Sequence, residues 1–154
     1  MSFRILFICH GNICRSPMAE FVMKKLACEA GFPDAYHIES AATTYEEIGN
    51  PVYPPAVREL RKHGISCEGK TARRMVKEDY EKFDLIIGMD QENLRDMLSF
   101  FGGDPMHKIS LLLHHAGKAR SVADPWYTGN FTATWNDVVE GCTALLEKTK
   151  PRKE

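Results

Sequence analysis

The chain has 154 residues, 44% hydrophobic and 27% charged, with 20 basic and 21 acidic side chains and a formal net charge of −1. That length fits one domain around one real core, and the balance excludes a disordered or fibrous chain. Near-neutrality also excludes a global field that would draw the protein to nucleic acid or anionic lipid, so any anion site must be local.

No stretch approaches the roughly 18 uninterrupted apolar residues of a membrane span, and Met1-Ser2-Phe3-Arg4-Ile5 enters a short apolar run without a signal core. The expectation is a soluble, cytoplasmic, monomeric protein without a membrane partner. Five cysteines (Cys9, Cys14, Cys28, Cys67, Cys142) make an odd count without a secretory signal, so free thiols are expected rather than a disulfide framework. Lys148, Lys150, Arg152 and Lys153 read as a solvated basic end.

Phe3 to Ile8 is apolar except for Arg4, the pattern of a strand buried on both faces of a parallel sheet. Ser16-Pro17 reads as an N-cap and a first-turn proline, opening a helix with Met18, Phe21, Val22 and Leu26 on one face and Gly31 near its end. A strand near His37 to Ala41, a helix from about Pro54 to His63 stopped by Gly64, and a strand at Asp84 to Met89 follow. Asp90 can cap a helix bearing Leu94, Met97, Leu98 and Phe101, which Gly102-Gly103 breaks. Lys108 to Leu113 supplies a fourth strand, a long loop carries Asp124-Pro125-Trp126, and Trp135, Val138, Val139, Cys142, Leu145 and Leu146 mark a closing helix. The alternation predicts a single α/β domain over residues 1–154: a four-stranded parallel sheet in a three-layer, Rossmann-like arrangement with helices on both faces.

In such a sheet ligands bind beyond the carboxyl ends of strands, where Cys9-His10-Gly11-Asn12-Ile13-Cys14-Arg15-Ser16 lies. Successive backbone N–H groups, a helix N-terminus and the guanidinium fork of Arg15 suit an oxyanion, and phosphate above all. A cysteine in that cradle is drawn toward its thiolate, so Cys9 can attack a bound phosphorus while Arg15 and the amides hold the equatorial oxygens. A lone strand-end cysteine is more often a buried thiol. Five residues between Cys9 and Arg15 at a strand-helix junction reverse that preference. The Gly-x-x-x-x-Gly-Lys-Ser/Thr loop of nucleotide binders is absent, and Cys9, His10 and Cys14 lack a fourth zinc ligand at a standard spacing.

Ile8 through Pro17 resembles the signature of the low-molecular-weight protein tyrosine phosphatases. The resemblance continues through Glu39-Ser40-Ala41-Ala42, Ile48-Gly49-Asn50-Pro51, Ala72-Arg73, Met89-Asp90 and Asp124-Pro125-Trp126-Tyr127. It implies that phosphotyrosine in proteins, and small aryl phosphates, are hydrolysed through a cysteinyl-phosphate, with inorganic phosphate as product and neither metal nor organic cofactor. Cys9, Arg15 and Asp124 are then the catalytic residues. Asp124 would protonate the departing phenolate, whose conjugate acid has a pKa of about 10, and then activate water. His10, Gly11, Asn12, Ile13, Cys14 and Ser16 would form the phosphate site. Trp126 and Tyr127 would wall a cleft deep enough for phosphotyrosine, and Ser40, with Asn12 and Ser16, would hold the loop by hydrogen bonds. Cys14 would capture an oxidised Cys9 as a disulfide, which predicts reversible inactivation by peroxide.

Two positions depart from the family pattern. Glu46 stands where an aromatic residue is usual, with Tyr45 one step earlier, and Lys70-Thr71-Ala72-Arg73 replaces a common His-x-Ala-Arg. Glu46 beside the cleft would repel acidic peptides or favour basic ones. A protein-arginine phosphatase of the same fold is the nearest alternative, but there the position of Ile13 tends to be threonine. A thioredoxin-coupled arsenate reductase needs a close cysteine pair that Cys67 and Cys142 do not supply. A phosphate-binding module without catalysis would not need Cys9, Arg15 and Asp124 together.

Overall fold

The computed structural model describes residues 2–152, so Lys153 of the basic end lies outside the described residues. Four strands, β1 (Phe3–Cys9), β2 (Tyr36–Ala42), β3 (Leu85–Gly88) and β4 (Ile109–Leu111), form one parallel sheet in the order β2-β1-β3-β4. The unbroken apolar run of β1 reflects its central place. Residues 5–9 have no solvent-facing side because helices cover both faces.

On one face Ile5, Phe7 and Cys9 pack into a core with Met18 and Val22 of α1 (Arg15–Glu29), Ala56 and Leu60 of α2 (Pro54–Lys62), and Val138, Cys142 and Leu145 of α6 (Phe131–Thr149). On the other, Leu6, Ile8 and Ile86 meet Phe83 and Met97; the latter belongs to α4 (Gln91–Phe101). The single α/β domain with helices on both faces is as the sequence predicts. A Cβ on Gly141, inside α6, would run into Leu112, so this mid-helix glycine serves close packing.

Several boundaries differ from the sequence reading. The fourth strand ends at Leu111, and Leu112–Ala116 forms a 3-10 turn closed by Gly117 at φ 78°. Leu112 and Leu113 are buried as a strand would bury them, but in the core shared with α6, which favours a turn over further strand pairing. A short helix α3 (Asp79–Lys82) precedes β3, and the loop at Asp124 continues as the four-residue helix α5 (Pro125–Thr128). Asp90 caps α4 in a reciprocal capping box with Asn93. Ser16 does not cap α1. That helix starts at Arg15, has Cys14 at its N-cap and receives no side-chain cap, so Ser16 sits in the first turn with its hydroxyl turned to Cys9.

The strand order places the site. The β1-α1-β2 unit steps to one side of β1, and the chain then crosses back to lay β3 on its other side. The connections leaving β1 and β3 therefore diverge, and the crevice between them opens beyond Cys9 and Gly88.

Candidate active site

Cys9 is the last residue of β1 and only 4% exposed. Two groups converge on its Sγ: the Asn12 backbone N–H donates at 3.3 Å, and the Ser16 hydroxyl Oγ lies within hydrogen-bonding distance at 3.0 Å. The 9–16 loop curls tightly enough to put Asn12 at φ 59°, a left-handed conformation that asparagine tolerates. Its side chain is held at both ends. Oδ1 accepts the Arg73 backbone N–H at 3.2 Å, while Nδ2 donates to Ser16 Oγ at 2.7 Å and Ser40 Oγ at 2.9 Å.

The Arg15 side chain is 4% exposed. Its Nη1 lies 2.8 Å from Asp90 Oδ2 and its Nη2 lies 3.3 Å from Asp124 Oδ2. Burial opposes its charge, but Cys9 and the carboxylates of Asp124 and Asp90 outweigh that and hold its pKa above the ordinary arginine value. Burial, with the negative charges of Cys9 and Asp124 added, pushes the Cys14 thiol up to about 12.

Asp124 stands at the N-cap of α5, where Oδ1 accepts the Trp126 N–H at 3.0 Å. Its segment is pinned from behind: Val122 N–H donates to Met89 O at 2.9 Å, and Ala123 N–H donates to Asp137, which also takes a two-pronged grip from Arg120 at 2.7 and 2.9 Å. Trp126 and Tyr127 are 61% and 86% exposed, and Tyr53 braces the Trp126 ring at 5.3 Å.

Cys9, His10, Gly11, Ile13, Cys14, Arg15, Asp124, Trp126 and Tyr127 all line one cleft of about 360 Å³. Asn12, Ser16 and Ser40, each at most 1% exposed, lie behind Cys9 and are not on the cleft surface. The structure adds residues to that lining which sequence reasoning had not placed there: Glu47, Asp90, Glu92 and Asn93. Asp90 follows β3 at the strand-order reversal, a location that marks a site residue, yet its reading as a helix cap accounted for it fully. Glu20 gave no signal. It sits on α1 at 5% exposure and accepts the Ser40 hydroxyl at 2.6 Å.

Both departures acquire a structure. Lys70 Nζ donates to the Ser40 backbone oxygen at 2.9 Å and lies 3.6 Å from Glu20 Oε1, so a lysine at this position braces β2 behind the loop. Burial lowers the pKa of that ammonium, against the pull of Glu20. Tyr45 does not replace the missing cleft aromatic. It is absent from the lining, and its ring lies 4.2 Å from Arg74 Cζ, whose Nη1 donates to the Tyr45 hydroxyl at 2.8 Å. Glu46 takes that side of the mouth, paired with His10 Nε2 at 2.8 Å, and Glu92 lies 3.9 Å from His10 Nδ1.

A thiol with two hydrogen-bonding neighbours, a buried arginine and a carboxyl group around one cleft is suited to phosphoryl transfer. The sequence model of the low molecular weight phosphotyrosine protein phosphatases matches residues 4–154. The low molecular weight protein-tyrosine-phosphatase YfkJ of Bacillus subtilis is 38% identical over 97% of both chains, and the crystal structure of YfkJ superposes with a TM-score of 0.92 over 96% of this chain and 94% of that one. The mouse low molecular weight phosphotyrosine protein phosphatase is 40% identical over 94% of both chains. A Drosophila arginine phosphatase also superposes, with a TM-score of 0.85 and 28% identity over 97% of this chain and 99% of that one. Matched along almost its whole length, the chain belongs to the low molecular weight phosphotyrosine protein phosphatase family.

Proposed function

We propose that this protein, acting as one domain over residues 1–154, hydrolyses phosphotyrosine in proteins through a phosphocysteine on Cys9. The observation that carries the reading is the convergence on Cys9 Sγ of the Asn12 N–H and the Ser16 hydroxyl, at the base of a cleft that also holds Arg15 and Asp124. The Cys9 thiolate attacks phosphorus in line, forming the S–P bond as the P–O bond to the tyrosyl oxygen breaks. Arg15 and the loop N–H groups hold the equatorial oxygens, and Asp124 delivers a proton to the phenolic oxygen. The same carboxylate then takes a proton from water, which attacks phosphorus; the S–P bond electrons return to sulfur and inorganic phosphate leaves. Trp126 and Tyr127 offer their faces to the substrate ring. The reaction needs no further cofactor, and the reading includes a monomeric, cytoplasmic enzyme; no described helix is long and apolar enough to cross a membrane.

Ile13 lines the cleft, an apolar contact that suits a phenyl ring better than a guanidinium. The test is the ratio of kcat/KM for a phosphotyrosine peptide to that for the matching phosphoarginine peptide, in chelator, with Cys9→Ser as blank. A ratio far above one is expected. A ratio below one would replace tyrosine by arginine as the substrate, in line with the arginine phosphatase of similar fold.

A further inference from the structure

We propose that Glu20 is a positioning residue for the nucleophile: as an acceptor at the far end of the chain Glu20–Ser40–Asn12–Ser16–Cys9, it fixes the sense of the hydrogen bonds so that the Ser16 proton points at Cys9 Sγ. This rests on Cys9 as nucleophile.

Each link constrains the next. A carboxylate only accepts, so the single Ser40 proton goes to Glu20 Oε1, at 2.6 Å. Ser40 Oγ must then accept from Asn12 Nδ2. The second proton of the same Nδ2 goes to Ser16 Oγ, and Ser16, already an acceptor there, is left to donate to sulfur. The Arg73 N–H on Asn12 Oδ1 supports the same amide orientation from the other end. All of these side chains are buried, so no solvent competes for the bonds and an error in sense is not repaired by water.

The surroundings of Glu20 make the point testable. Lys24 Nζ holds the other carboxylate oxygen, Oε2, at 2.6 Å. In Glu20→Gln the amide oxygen turns to Lys24, which leaves the NH2 group facing Ser40. The Ser40 proton is then pushed toward Asn12 Nδ2, donor against donor, and the chain loses its direction. A glutamine without Lys24 is free to offer its oxygen to Ser40, and Lys70 on that side favours the turn.

The consequence falls on the second chemical step. When phosphocysteine is hydrolysed the Cys9 thiolate is the leaving group, and the Ser16 hydroxyl steadies the charge that gathers on sulfur. Loss of that bond slows phosphoenzyme breakdown, so kcat and KM fall together.

The experiment compares wild type, E20Q, S16A and E20Q/S16A with an aryl phosphate. E20Q is expected to lose roughly tenfold in kcat with a parallel fall in KM and a burst of phenol, but to cost S16A no more than about twofold, because both act through one bond. E20Q/K24M should recover most of the loss, and K24M alone should match wild type. S40A cuts the chain without touching α1, so E20Q should cost S40A no more than about twofold; should E20Q not fold, S40A alone should still lose part of the activity, in kcat and KM together. Equal losses from E20Q in both backgrounds, a rise in KM, or no rescue by K24M would overturn the proposal. Alkylation of Cys9 by iodoacetamide, followed by mass, gives a second cycle: E20Q should change its rate more than threefold in wild type and not in S16A. If wild type turns over no phosphate ester, the phosphatase reading falls while the alkylation cycle still decides this one.

Discussion

Removal of the Asp90 carboxylate tests how the phosphate clamp is held. Its two oxygens do separate work: Oδ1 accepts the Asn93 N–H at 2.8 Å and caps α4, while Oδ2 holds Arg15 Nη1 at 2.8 Å. Loss of a helix cap costs about 1 kcal/mol. Breaking a buried ion pair costs about 3–5 kcal/mol when the remaining charge is left alone, but Arg15 keeps Asp124, and Asp90 is 24% exposed, so about 2 kcal/mol is the reasonable share. Asp90→Ala should therefore lose about 3 kcal/mol, a fall in Tm of about 6–12 °C for a chain of this length. An unanchored Arg15 should also lower kcat/KM for a phosphotyrosine peptide by about 10–100-fold. Asp90→Ser separates the two roles, since serine caps a helix nearly as well as aspartate but cannot reach and charge-pair with Arg15. It should regain about 1 kcal/mol, visible by scanning calorimetry, and none of the activity. Wild-type kcat/KM in Asp90→Ser would refute the clamp role, and recovery of activity in step with Tm would reduce it to stability.

Asp124→Asn should lower kcat by about 10²–10⁴-fold for a phosphotyrosine peptide and much less for an aryl phosphate whose phenol is a strong acid, because the better leaving group needs no proton; equal losses would remove Asp124 as the acid. Glu46→Ala should shift the kcat/KM preference between lysine-flanked and glutamate-flanked phosphopeptides by up to about fivefold toward the acidic one, and unchanged selectivity would leave Glu46 without that role. After peroxide treatment, Cys14→Ser should recover less activity with dithiothreitol than wild type, and equal recovery would take Cys14 out of the protection of Cys9. Burial, then Lys148 and His114, lower the pKa of His115 from 6.5 to about 4. The unfolded chain thus binds the extra proton first, and urea midpoints should fall as pH drops from about 6.5 to 4. His115→Gln should flatten that limb; an unchanged slope would assign it to other groups. Glu39, held at about 2 by hydrogen bonds from His37 and Lys82 and by Arg73 against the cost of burial, loses its contribution only at lower pH, between about 4.5 and 2.

The centre of the sheet was legible in the sequence because β1 and β3 are short apolar runs, and β1 is buried on both faces; β2, with His37, Glu39 and Ser40 in it, carried a weaker pattern. The loop 9–16 was legible as a candidate site because one spacing brings a cysteine, an arginine and a helix start together, and the structure lines one cleft with both side chains. Residues that act at a distance in sequence left no such mark. Glu20 reads as an ordinary helix residue and becomes special only because β2 delivers Ser40 to its carboxylate. Ser16 looked like a cap because serine before proline usually is one; here the cap position is Cys14, and the hydroxyl serves sulfur instead. Lys70 looked only like a departure from the family pattern, since no local pattern says that its side chain reaches the Ser40 carbonyl. Tyr45 could equally have faced the cleft, and Arg74, 29 positions away, turns it outward.

The unequal grip on Arg15 suggests how binding and chemistry are linked. The guanidinium is shared between Asp90 at 2.8 Å and Asp124 at 3.3 Å. An arriving phosphate dianion would compete with the two carboxylates for donors of the same fork. Asp90 cannot yield easily: its other oxygen caps an eleven-residue helix, and moving it would open that cap. Asp124 caps only the four-residue α5, and its contact with Arg15 is the longer one. On the proposed function, the dianion would take the place of Asp124 on Arg15, while Asp90 keeps the guanidinium aimed. The displaced carboxyl group would then lie beside the phosphoryl group, where the proposed mechanism places it. Binding of the phosphate would then also release Asp124 from Arg15, with Arg15 as the shared part.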